Sequence, residues 1–256
     1  MLAFIKPKLT LPDLDWGQTT KVGGVSGFGE SKKDKIACQQ NTLNLAPHVN
    51  DSPTALFENW RRFEQASLWS RQTLATCQQV HGTTVLEVTA GNHHPHAADA
   101  IISRTPGLAV GVFTADCVPI LVVDPVLRHV AAIHCGWKGV AANLTAKTIK
   151  QFFKVEDYRQ ERLLIWIGAS IRRESYEVGP EVAHRFDESM YQRGKLGKFQ
   201  LDLAKAVRHQ LLTVGIQQKN IEDCQIDSYT SNKTTFSYRA DGKHTGRMLT
   251  YVGFLK

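Results

Sequence analysis

Three separated segments of the sequence each carry a side chain that can bind a borderline or soft metal ion. They are Gln79-Val80-His81-Gly82, Thr114-Ala115-Asp116-Cys117-Val118-Pro119 and His134-Cys135-Gly136-Trp137-Lys138-Gly139. The thiolate of Cys117 and the imidazoles of His81 and His134, brought together by a fold, would hold a zinc ion through three protein ligands. Such a site leaves a fourth position open for water or substrate, which is typical of a catalytic zinc site. The sequence therefore predicts a zinc enzyme.

The residues beside these ligands suit a site that the backbone approaches closely. Glycine occupies positions 82, 136 and 139, and without a Cβ it lets the backbone come near a metal ion or a substrate. Asp116 immediately precedes Cys117, where its carboxylate could orient a ligand or a water molecule.

The same side chains allow a second interpretation that needs no metal. His134 would lower the pKa of the Cys117 thiol, and the thiolate would attack an amide. No short-range pattern such as His-Glu-x-x-His ties the three residues together. Residue types alone therefore leave both chemistries open.

Composition indicates an ordinary globular chain. Of its 256 residues 42% are hydrophobic and 21% charged, which allows one large or two modest domains with a sizeable core. No apolar run approaches the roughly 20 residues of a transmembrane helix. The amino terminus turns polar after five residues, too early for the apolar part of a signal peptide. We expect a cytoplasmic protein that does not associate with membranes.

Charge and cysteine usage narrow the function classes. The formal net charge is +7, but the basic residues are scattered and no nucleic-acid-binding motif accompanies them. Positive potential also suits small substrates that carry phosphate, and we favour those over nucleic acid. The five cysteines are scattered without a Cys-x-x-Cys pair, which predicts reduced thiols and argues against a structural zinc site built from four cysteines. They are Cys38, Cys77, Cys117, Cys135 and Cys224.

Helix and strand signals are mixed along the chain without strict alternation, which favours one α+β domain over residues 1–256. Ser52 and Pro53 predict a helix start, and that helix should end near Gln65 and bury Leu56, Trp60 and Phe63. Further helices are predicted at Val140–Phe153, Pro180–Met190 and Leu201–Val214. Apolar runs and alternation predict strands at Thr84–Val88, Leu108–Phe113, Ile120–Val123, Val130–Ile133 and Leu163–Ile167.

These elements place the candidate ligands where scaffolds usually present functional groups. Cys117 should follow the strand that ends near Phe113, and His134 should stand at the end of its own strand. Two other segments are predicted to be exposed loops. One is the glycine-rich run from Gly23 to Gly29, which lacks the pattern of a nucleotide-binding loop, and the other is His93-His94-Pro95-His96.

The order of motifs resembles that of the YfiH family, also called the laccase-domain or FAMIN-like family. The similar segments span nearly the whole chain, which makes the resemblance far more specific than any single motif. They are Asn44-Leu45-Ala46-Pro47-His48-Val49-Asn50-Asp51, the three ligand segments above with Ile120-Leu121, Ala98-Asp99-Ala100, Ile167-Gly168, Tyr176-Glu177-Val178-Gly179, Phe236-Ser237-Tyr238-Arg239-Ala240-Asp241-Gly242 and Thr245-Gly246-Arg247.

The resemblance implies a layered single-domain α/β sandwich related to the catalytic domain of cytotoxic necrotizing factor toxins. It implies zinc bound by His81, Cys117 and His134. It also implies purine nucleoside phosphorylase activity, with adenosine deaminase and methylthioadenosine phosphorylase activities in the same site. Bacterial relatives are linked to peptidoglycan editing, and an older assignment, copper-dependent polyphenol oxidation, gave the family its laccase name.

For phosphorolysis of a purine nucleoside, charged donors must hold the attacking phosphate. Lys138, Arg239 and Arg247 are the candidates, and Asn44 is a further candidate substrate contact. Asp116 or His48 could shuttle protons. Adenosine deamination would use the same zinc, which lowers the pKa of a water molecule that attacks the purine ring.

Three other functions stay open at this point. An amidase would use Cys117 and His134, or a zinc-bound water, on a serine-linked muramyl precursor. A copper polyphenol oxidase is disfavoured, because multicopper sites need several His-x-His clusters and the sequence has only His94-Pro95-His96. A non-enzymatic protein with a vestigial metal site would turn over none of these substrates.

The chain departs from the family pattern at several positions. Cys135 replaces a usual alanine and adds a thiol beside a ligand, Lys138 replaces arginine, and Trp60 stands where arginine is common. Arg172-Arg173-Glu174-Ser175 replaces a Gly-Pro-Cys-Cys type of sequence, and the loop between Gly27 and Asn41 is longer than usual. Lysine keeps the charge of arginine but loses its two-pronged hydrogen bonding. We expect these departures to affect substrate preference more than zinc binding.

Overall fold

The computed structural model of the chain describes residues 2–28, 41–153 and 159–256, with residues 92–95 described by their backbone alone. The described strands are β1 (Phe4–Ile5), β2 (Leu14–Thr19), β3 (Val22–Ser26), β4 (Leu74–Gln78), β5 (Val85–Val88), β6 (Asn92–Ala97), β7 (Ala100–Ser103), β8 (Ala109–Thr114), β9 (Val118–Asp124), β10 (His129–Cys135), β11 (Leu164–Ile167), β12 (Glu177–Val178), β13 (Tyr191–Arg193), β14 (Phe199–Leu201), β15 (Ile221–Asp223) and β16 (Met248–Phe254). The described α-helices are α1 (Pro53–Ala66), α2 (Trp137–Ala141), α3 (Leu144–Phe152), α4 (Pro180–Ala183), α5 (Leu203–Thr213) and α6 (Tyr238–Asp241).

Two six-stranded sheets form the centre of the structure. We call sheet A the one with the strand order β1-β2-β16-β8-β4-β6, and sheet B the one with the order β15-β11-β9-β10-β7-β5. Both sheets mix orientations. In sheet A, β4 runs parallel to β6 and β8, whereas β16 runs antiparallel to β2 and β8. In sheet B, β9 runs antiparallel to β10 and β11, whereas β5 runs parallel to β7. A small third sheet has the order β12-β14-β13.

Apolar side chains cover both faces of each large sheet. Trp16, Val110 and Val252 of sheet A pack against Leu121 and Trp166 of sheet B in one cluster between the two sheets. The outer face of sheet A is covered by helix α1, and the outer face of sheet B is covered mainly by α3 and α5. The layers are therefore helix, sheet, sheet and helices, which confirms the predicted α+β sandwich.

Helix α1 forms as its sequence predicts. The Ser52 side chain accepts a hydrogen bond from the Ala55 N–H at 3.5 Å, and Pro53 occupies the first turn. Trp60 and Phe63 are buried against sheet A, and Leu56 is half-buried beside them. The predicted strands are also present, with boundaries shifted by a few residues; they correspond to β5, β8, β9, β10 and β11.

Two of the predicted helices are wrong in extent. The segment Val140–Phe153 is divided into α2 and α3, because Asn143 adopts a left-handed backbone with φ of 59°. Pro180–Met190 is helical only in α4 and in a 3-10 turn at Glu188–Met190, because Asp187 turns extended and its side chain caps that second turn. The third predicted helix is confirmed as α5. None of the described helices is both long and apolar enough to cross a bilayer.

Both predicted exposed loops are corrected where the structure describes them. Residues 23–26 lie in β3, and a Cβ at Gly24 would stand 2.1 Å from the Thr42 carbonyl oxygen, so this glycine permits a close backbone approach. Residues 29–40 lie outside the described residues, as do Cys38 and most of the long loop. The segment from His93 to His96 lies in the edge strand β6, where Pro95 needs no ladder partner.

A buried asparagine joins α1 to β3 and to the segment around Asn44. Asn59 is 0% exposed, and its Nδ2 donates to Ser26 Oγ at 2.7 Å and to the Asn44 carbonyl at 2.9 Å. Its Oδ1 accepts from the Val25 N–H at 2.8 Å. Because several buried groups depend on this one amide, its loss leaves them without partners.

We expect Asn59→Ala to lower the free energy of unfolding by about 2–3 kcal/mol, because it orphans buried donors and acceptors. Urea denaturation followed by circular dichroism measures the loss. Gln65→Ala, at an exposed position of the same helix, is the matched control and should stay within about 0.5 kcal/mol. Equal stability of the two variants would contradict the role given to Asn59.

Candidate metal centre

The structure brings together the three residues that the sequence singled out. One donor atom from each of His81, Cys117 and His134 lies within 4.8 Å of the other two. Cys117 Sγ is 3.8 Å from His81 Nε2, and the two imidazole ring centroids are 4.8 Å apart at an interplanar angle of 78°. Among the described side chains, this is the one such group of three or more potential metal donors.

The three donors come from both sheets. His81 follows β4 and Cys117 follows β8, which are neighbours in sheet A, whereas His134 is near the end of β10 in sheet B. Because these strands end at the same edge of the sandwich, the centre sits where the two sheets meet. The donor set of one thiolate and two imidazoles suits zinc, whose bonds of about 2.0–2.3 Å require donors within roughly 4 Å of one another.

Glycine at position 136 allows the His81 imidazole to approach the backbone. A Cβ on Gly136 would stand 2.6 Å from His81 Cδ2 and 3.4 Å from Cys117 Sγ. A Cβ on Gly139 would stand 3.0 Å from the Gly82 carbonyl oxygen. Any larger residue at position 136 would therefore displace a candidate ligand.

The buried carboxylate of Asp99 contacts both histidine segments. Its Oδ1 lies 2.8 Å from His134 Nδ1 and accepts from the His81 N–H at 2.9 Å. Its Oδ2 accepts from the N–H groups of Gly82 at 2.6 Å and Val80 at 3.3 Å. Burial alone would raise the pKa of Asp99, but the hydrogen bonds from His134 and the backbone outweigh it and hold the pKa below its usual value.

A glutamine side chain joins the His81 segment to the strand that precedes Cys117. Gln79 Nε2 donates to the Phe113 carbonyl at 2.7 Å, and the Phe113 N–H donates to Gln79 Oε1 at 2.7 Å. The side-chain amide thus takes the place of a neighbouring strand beside the end of β8.

Asp116 is held within the protein by both of its carboxylate oxygens. Oδ1 accepts from Ser228 Oγ and Oδ2 accepts from the Arg239 N–H, both at 2.7 Å. The residue is nearly buried and its φ is 89°, a conformation that a non-glycine residue adopts only when its surroundings enforce it. Asp116 therefore connects the turn that carries Cys117 to helix α6.

Cys117 and His134 shift each other's protonation in the metal-free protein. Burial alone would raise the pKa of the Cys117 thiol, but the charge on His134 and hydrogen bonds from both histidines lower it to about 6. Burial would likewise lower the pKa of His134, and the charge on Cys117 with the Asp99 hydrogen bond raises it to about 9. The two shifts run in opposite directions and favour a thiolate beside an imidazolium.

The centre opens into a cavity of about 380 Å³, a size within the range of about 300–1,000 Å³ usual for small-molecule sites. Besides the three donors, polar groups and aromatic rings form its wall. These residues are His48, Gln79, Phe113, Thr114, Ala115, Tyr238 and Arg247.

Two of the predicted substrate contacts line this cavity. The His48 ring centroid is 5.9 Å from that of Phe113. Arg247 is half-buried, and its Nη1 donates to the carbonyls of Thr245 and Gly246 at 2.9 Å each, which fixes the guanidinium at the wall. Burial lowers the pKa of Arg247, although the charges on Cys117 and Asp116 oppose that shift.

The other three predicted substrate contacts lie elsewhere. Asn44 is fully buried, and its Oδ1 accepts from the Arg247 N–H at 3.0 Å, so it contacts the cavity wall from behind. Lys138 is exposed on α2, with Nζ 5.7 Å from the Trp137 ring centroid. Arg239 is exposed on α6, with its guanidinium carbon 5.4 Å from the Tyr176 ring centroid.

The departures from the family pattern are mostly structural. Cys135 does not add a thiol to the centre: it faces away from His134 into the core, 3.5 Å from Thr145 Oγ1, and burial raises its pKa to about 12. The Trp60 indole donates to the Leu45 carbonyl at 3.0 Å beneath α1. Arg172 forms a two-pronged ion pair with Asp223 at 2.7 and 3.0 Å.

Three residues of the centre and its cavity lie in segments that the sequence analysis singled out, but that analysis gave them no role. They are Asp99, Gln79 and Tyr238. Asp99, between alanines at the start of an apolar strand, carried a usable signal, because a carboxylate in such a place is rarely buried without partners. Gln79 and Tyr238 carried none, because nothing local shows that their side chains point toward the ligands.

A family model described as multi-copper polyphenol oxidoreductase laccase matches residues 15–255 of the chain. The chain is 34% identical over 242 residues to purine nucleoside phosphorylase YfiH of Shigella flexneri, covering 91% of each chain. It is 33% identical over 251 residues to a purine nucleoside phosphorylase of Deinococcus radiodurans, covering 96% of this chain and 90% of the relative.

Two solved structures share the architecture. YlmD from Geobacillus stearothermophilus superposes with a TM-score of 0.84 at 26% identity, covering 96% of this chain and 93% of its own. A Bacillus licheniformis hypothetical protein YfiH superposes with a TM-score of 0.83 at 25% identity, covering 95% and 93%. Sequence and fold thus point to the same group of proteins.

We expect Gly136→Ala to weaken zinc binding at least about tenfold, because the new methyl group would displace the His81 ring. Competition with a chromophoric chelator measures the dissociation constant. Gly27→Ala is the matched control, because a Cβ there meets no atom of the described residues within 4 Å. Unchanged zinc affinity of Gly136→Ala would show that the His81 ring is not held at this distance in the metal-bound protein.

The Cys117 thiol should react as a thiolate at neutral pH once the metal is removed. Because the charge on His134 favours the thiolate, iodoacetamide alkylation should rise with pH to a plateau with a midpoint near 6, following the lowered pKa. Cys117→Ser gives the background from the other cysteines, and His134→Ala should move the midpoint upward. A midpoint near the ordinary thiol value in the wild type would contradict the pairing with His134.

Proposed function

Because the chain belongs to the YfiH, or laccase-domain, family, we propose that it is a zinc-dependent purine nucleoside phosphorylase. The proposal extends to adenosine deaminase and methylthioadenosine phosphorylase activity in the same site, and to residues 1–256 acting as one catalytic domain. Relatives that are 34% and 33% identical over most of their length bear the name purine nucleoside phosphorylase, and the chain's substrates are accordingly small molecules.

The observation that carries the proposal is the position of the three donors at the wall of a ligand-sized cavity. His81, Cys117 and His134 all line it, so a metal held by them would face a bound molecule. A structural zinc site, by contrast, has four protein ligands and no free position.

The donor set favours zinc over the copper of the laccase name. When bound, zinc acts as a Lewis acid that polarises a substrate or a water molecule. Multicopper oxidation needs several metal ions, and the described side chains supply one group of three donors. A thiolate with two imidazoles also resembles a mononuclear copper site, which metal analysis distinguishes.

The cavity wall suits a planar base next to an anion. The exposed rings of His48 and Tyr238 offer aromatic surface against which a purine can stack. Arg247 supplies a positive charge fixed by its own backbone hydrogen bonds, and a guanidinium pairs well with phosphate oxygens. We assign the attacking phosphate to Arg247. Lys138 and Arg239 do not line the cavity, and their positive charge would serve only to raise the local concentration of phosphate.

In phosphorolysis a phosphate oxygen bonds to the anomeric carbon of the ribose as the glycosidic bond to the purine breaks. His48, a titratable side chain in the cavity wall, would hold or donate the proton that the leaving base takes up. Asp116, whose oxygens are both engaged, would act by holding α6 and Tyr238 at the cavity. In deamination of adenosine, a water oxygen would bond to C6 of the purine as the amino group leaves as ammonia, and the proton that water loses would be passed to the leaving amine.

A thiol amidase is the second candidate, and one geometric feature favours it. Asp99 contacts His134 Nδ1 at 2.8 Å while His134 faces Cys117, which is the arrangement of a cysteine, histidine and aspartate triad. The Cys117 thiolate would attack an amide carbonyl, His134 would protonate the leaving amine, and water would hydrolyse the thioester. A serine-linked muramyl precursor is the candidate substrate.

We expect zinc-loaded protein to convert inosine and phosphate to hypoxanthine and ribose 1-phosphate, and adenosine to inosine without phosphate. Mass spectrometry of the products measures both reactions. Cys117→Ala should abolish them, because it removes a metal ligand and the thiolate together. Arg247→Met should raise the KM for phosphate at least about tenfold while leaving phosphate-independent deamination nearly unchanged.

Two results would overturn the phosphorylase proposal. Full phosphorolysis by Cys117→Ala protein that has lost its metal would remove the role of zinc. Release of serine from a muramyl precursor by the metal-free wild type, with no turnover of nucleosides, would establish the amidase instead.

A further inference from the structure

One buried carboxylate reaches two of the three candidate ligands by separate sets of contacts. Asp99 is 0% exposed and stands immediately before β7. No ligand role belongs to it, because both of its oxygens are engaged by donors from the protein. Its contacts instead determine where the two imidazoles stand.

Asp99 holds His134 through both the ring and the main chain. The ring nitrogen Nδ1 lies 2.8 Å from Asp99 Oδ1, and the His134 N–H donates to the Asp99 carbonyl at 2.7 Å. An ionised carboxylate can only accept, so Nδ1 carries a proton and donates. The other nitrogen, Nε2, is thereby turned toward Cys117 and is the atom left for a metal.

Asp99 also holds the turn that carries His81. The N–H groups of three consecutive residues, Val80, His81 and Gly82, all point at its carboxylate, at 3.3, 2.9 and 2.6 Å. Converging N–H groups of this kind form an anion-binding nest. His81 itself has φ of 59°, a left-handed conformation that is costly for a histidine unless its surroundings enforce it.

We propose that Asp99 is the positioning residue of the centre, a built-in anion whose carboxylate fixes the His81 turn and the His134 ring so that both present Nε2 to one metal ion. The inference rests on the metal site proposed above. It concerns binding of the metal and not turnover, so the two proposals can fail separately. Partners of this kind, hydrogen-bonded to a metal-binding histidine, change metal affinity by about 10- to 100-fold.

Asp99→Asn separates this role from a merely structural one. An amide offers one acceptor oxygen, so it cannot satisfy both the backbone nest and the His134 Nδ1–H. We expect zinc and cobalt affinity to fall about 10- to 100-fold, as measured by chelator competition, with an altered thiolate-to-cobalt absorption band. Asp124→Asn is the matched control, because Asp124 is equally buried at the other end of β9, where it accepts from Val126, Leu127 and Arg162.

Chemical rescue tests the nest directly. In Asp99→Ala, added formate should occupy the vacated position and restore metal affinity at least about tenfold, whereas chloride at the same ionic strength should not. Should that variant fail to fold, the wild type alone still tests the geometry. Two-bond proton–nitrogen spectra of the zinc-loaded protein should show His134 protonated at Nδ1 and metal-bound at Nε2.

Three outcomes would overturn the proposal: metal affinity of Asp99→Asn within threefold of the Asp124→Asn control, no rescue of folded Asp99→Ala by formate, or metal bound to His134 through Nδ1. Asp99-dependent zinc binding without turnover of any nucleoside would support it while refuting the proposed function.

Discussion

Both large sheets are covered by apolar layers on both faces, and this constraint decides where chemistry can occur. Val110, Leu121 and Ile133 are among the sheet residues that are 0% exposed, and a polar group placed among them would lose its hydrogen bonds to water. Polar side chains can therefore act only where strands end. At one edge of the sandwich the ends of β4, β8 and β10 come together, and the candidate centre occupies that edge.

Where strands end, backbone groups lose their ladder partners and other groups must replace them. Asp99 accepts from the turn after β4, Gln79 pairs with the main chain of β8, and Asp116 accepts from the start of α6. Each of these side chains satisfies buried backbone groups and at the same time fixes a segment that carries a candidate ligand or a cavity residue. The same hydrogen bonds thus satisfy the backbone groups at the strand ends and position the residues of the site.

The sequence predicts the three candidate ligands better than it predicts the residues and strands that hold them in place. Residue types that can bind zinc, together with an ordered set of motifs along the chain, indicate His81, Cys117 and His134. Apolar runs likewise predict the buried strands β9 and β10. Strand pairing depends on residues that are far apart in the sequence. The periodicity of each segment therefore does not predict the two-sheet layering or the edge strand β6. The division of one predicted helix into α2 and α3 rests on a single left-handed residue, Asn143.

Side chains alternate between the two faces of β10, which explains why the neighbouring residues His134 and Cys135 have different environments. His134 faces the centre, whereas Cys135 is buried in the core with its pKa raised to about 12 by desolvation. Cys117 lies beside His134, where the imidazolium keeps its pKa near 6. A thiol such as that of Cys117 can serve as a metal ligand or as a nucleophile. The contact between Asp99 and His134 suits either use. A bound metal would draw electron density from the Cys117 thiolate and lower its nucleophilicity, so metal binding and thiol attack compete for the same sulfur atom.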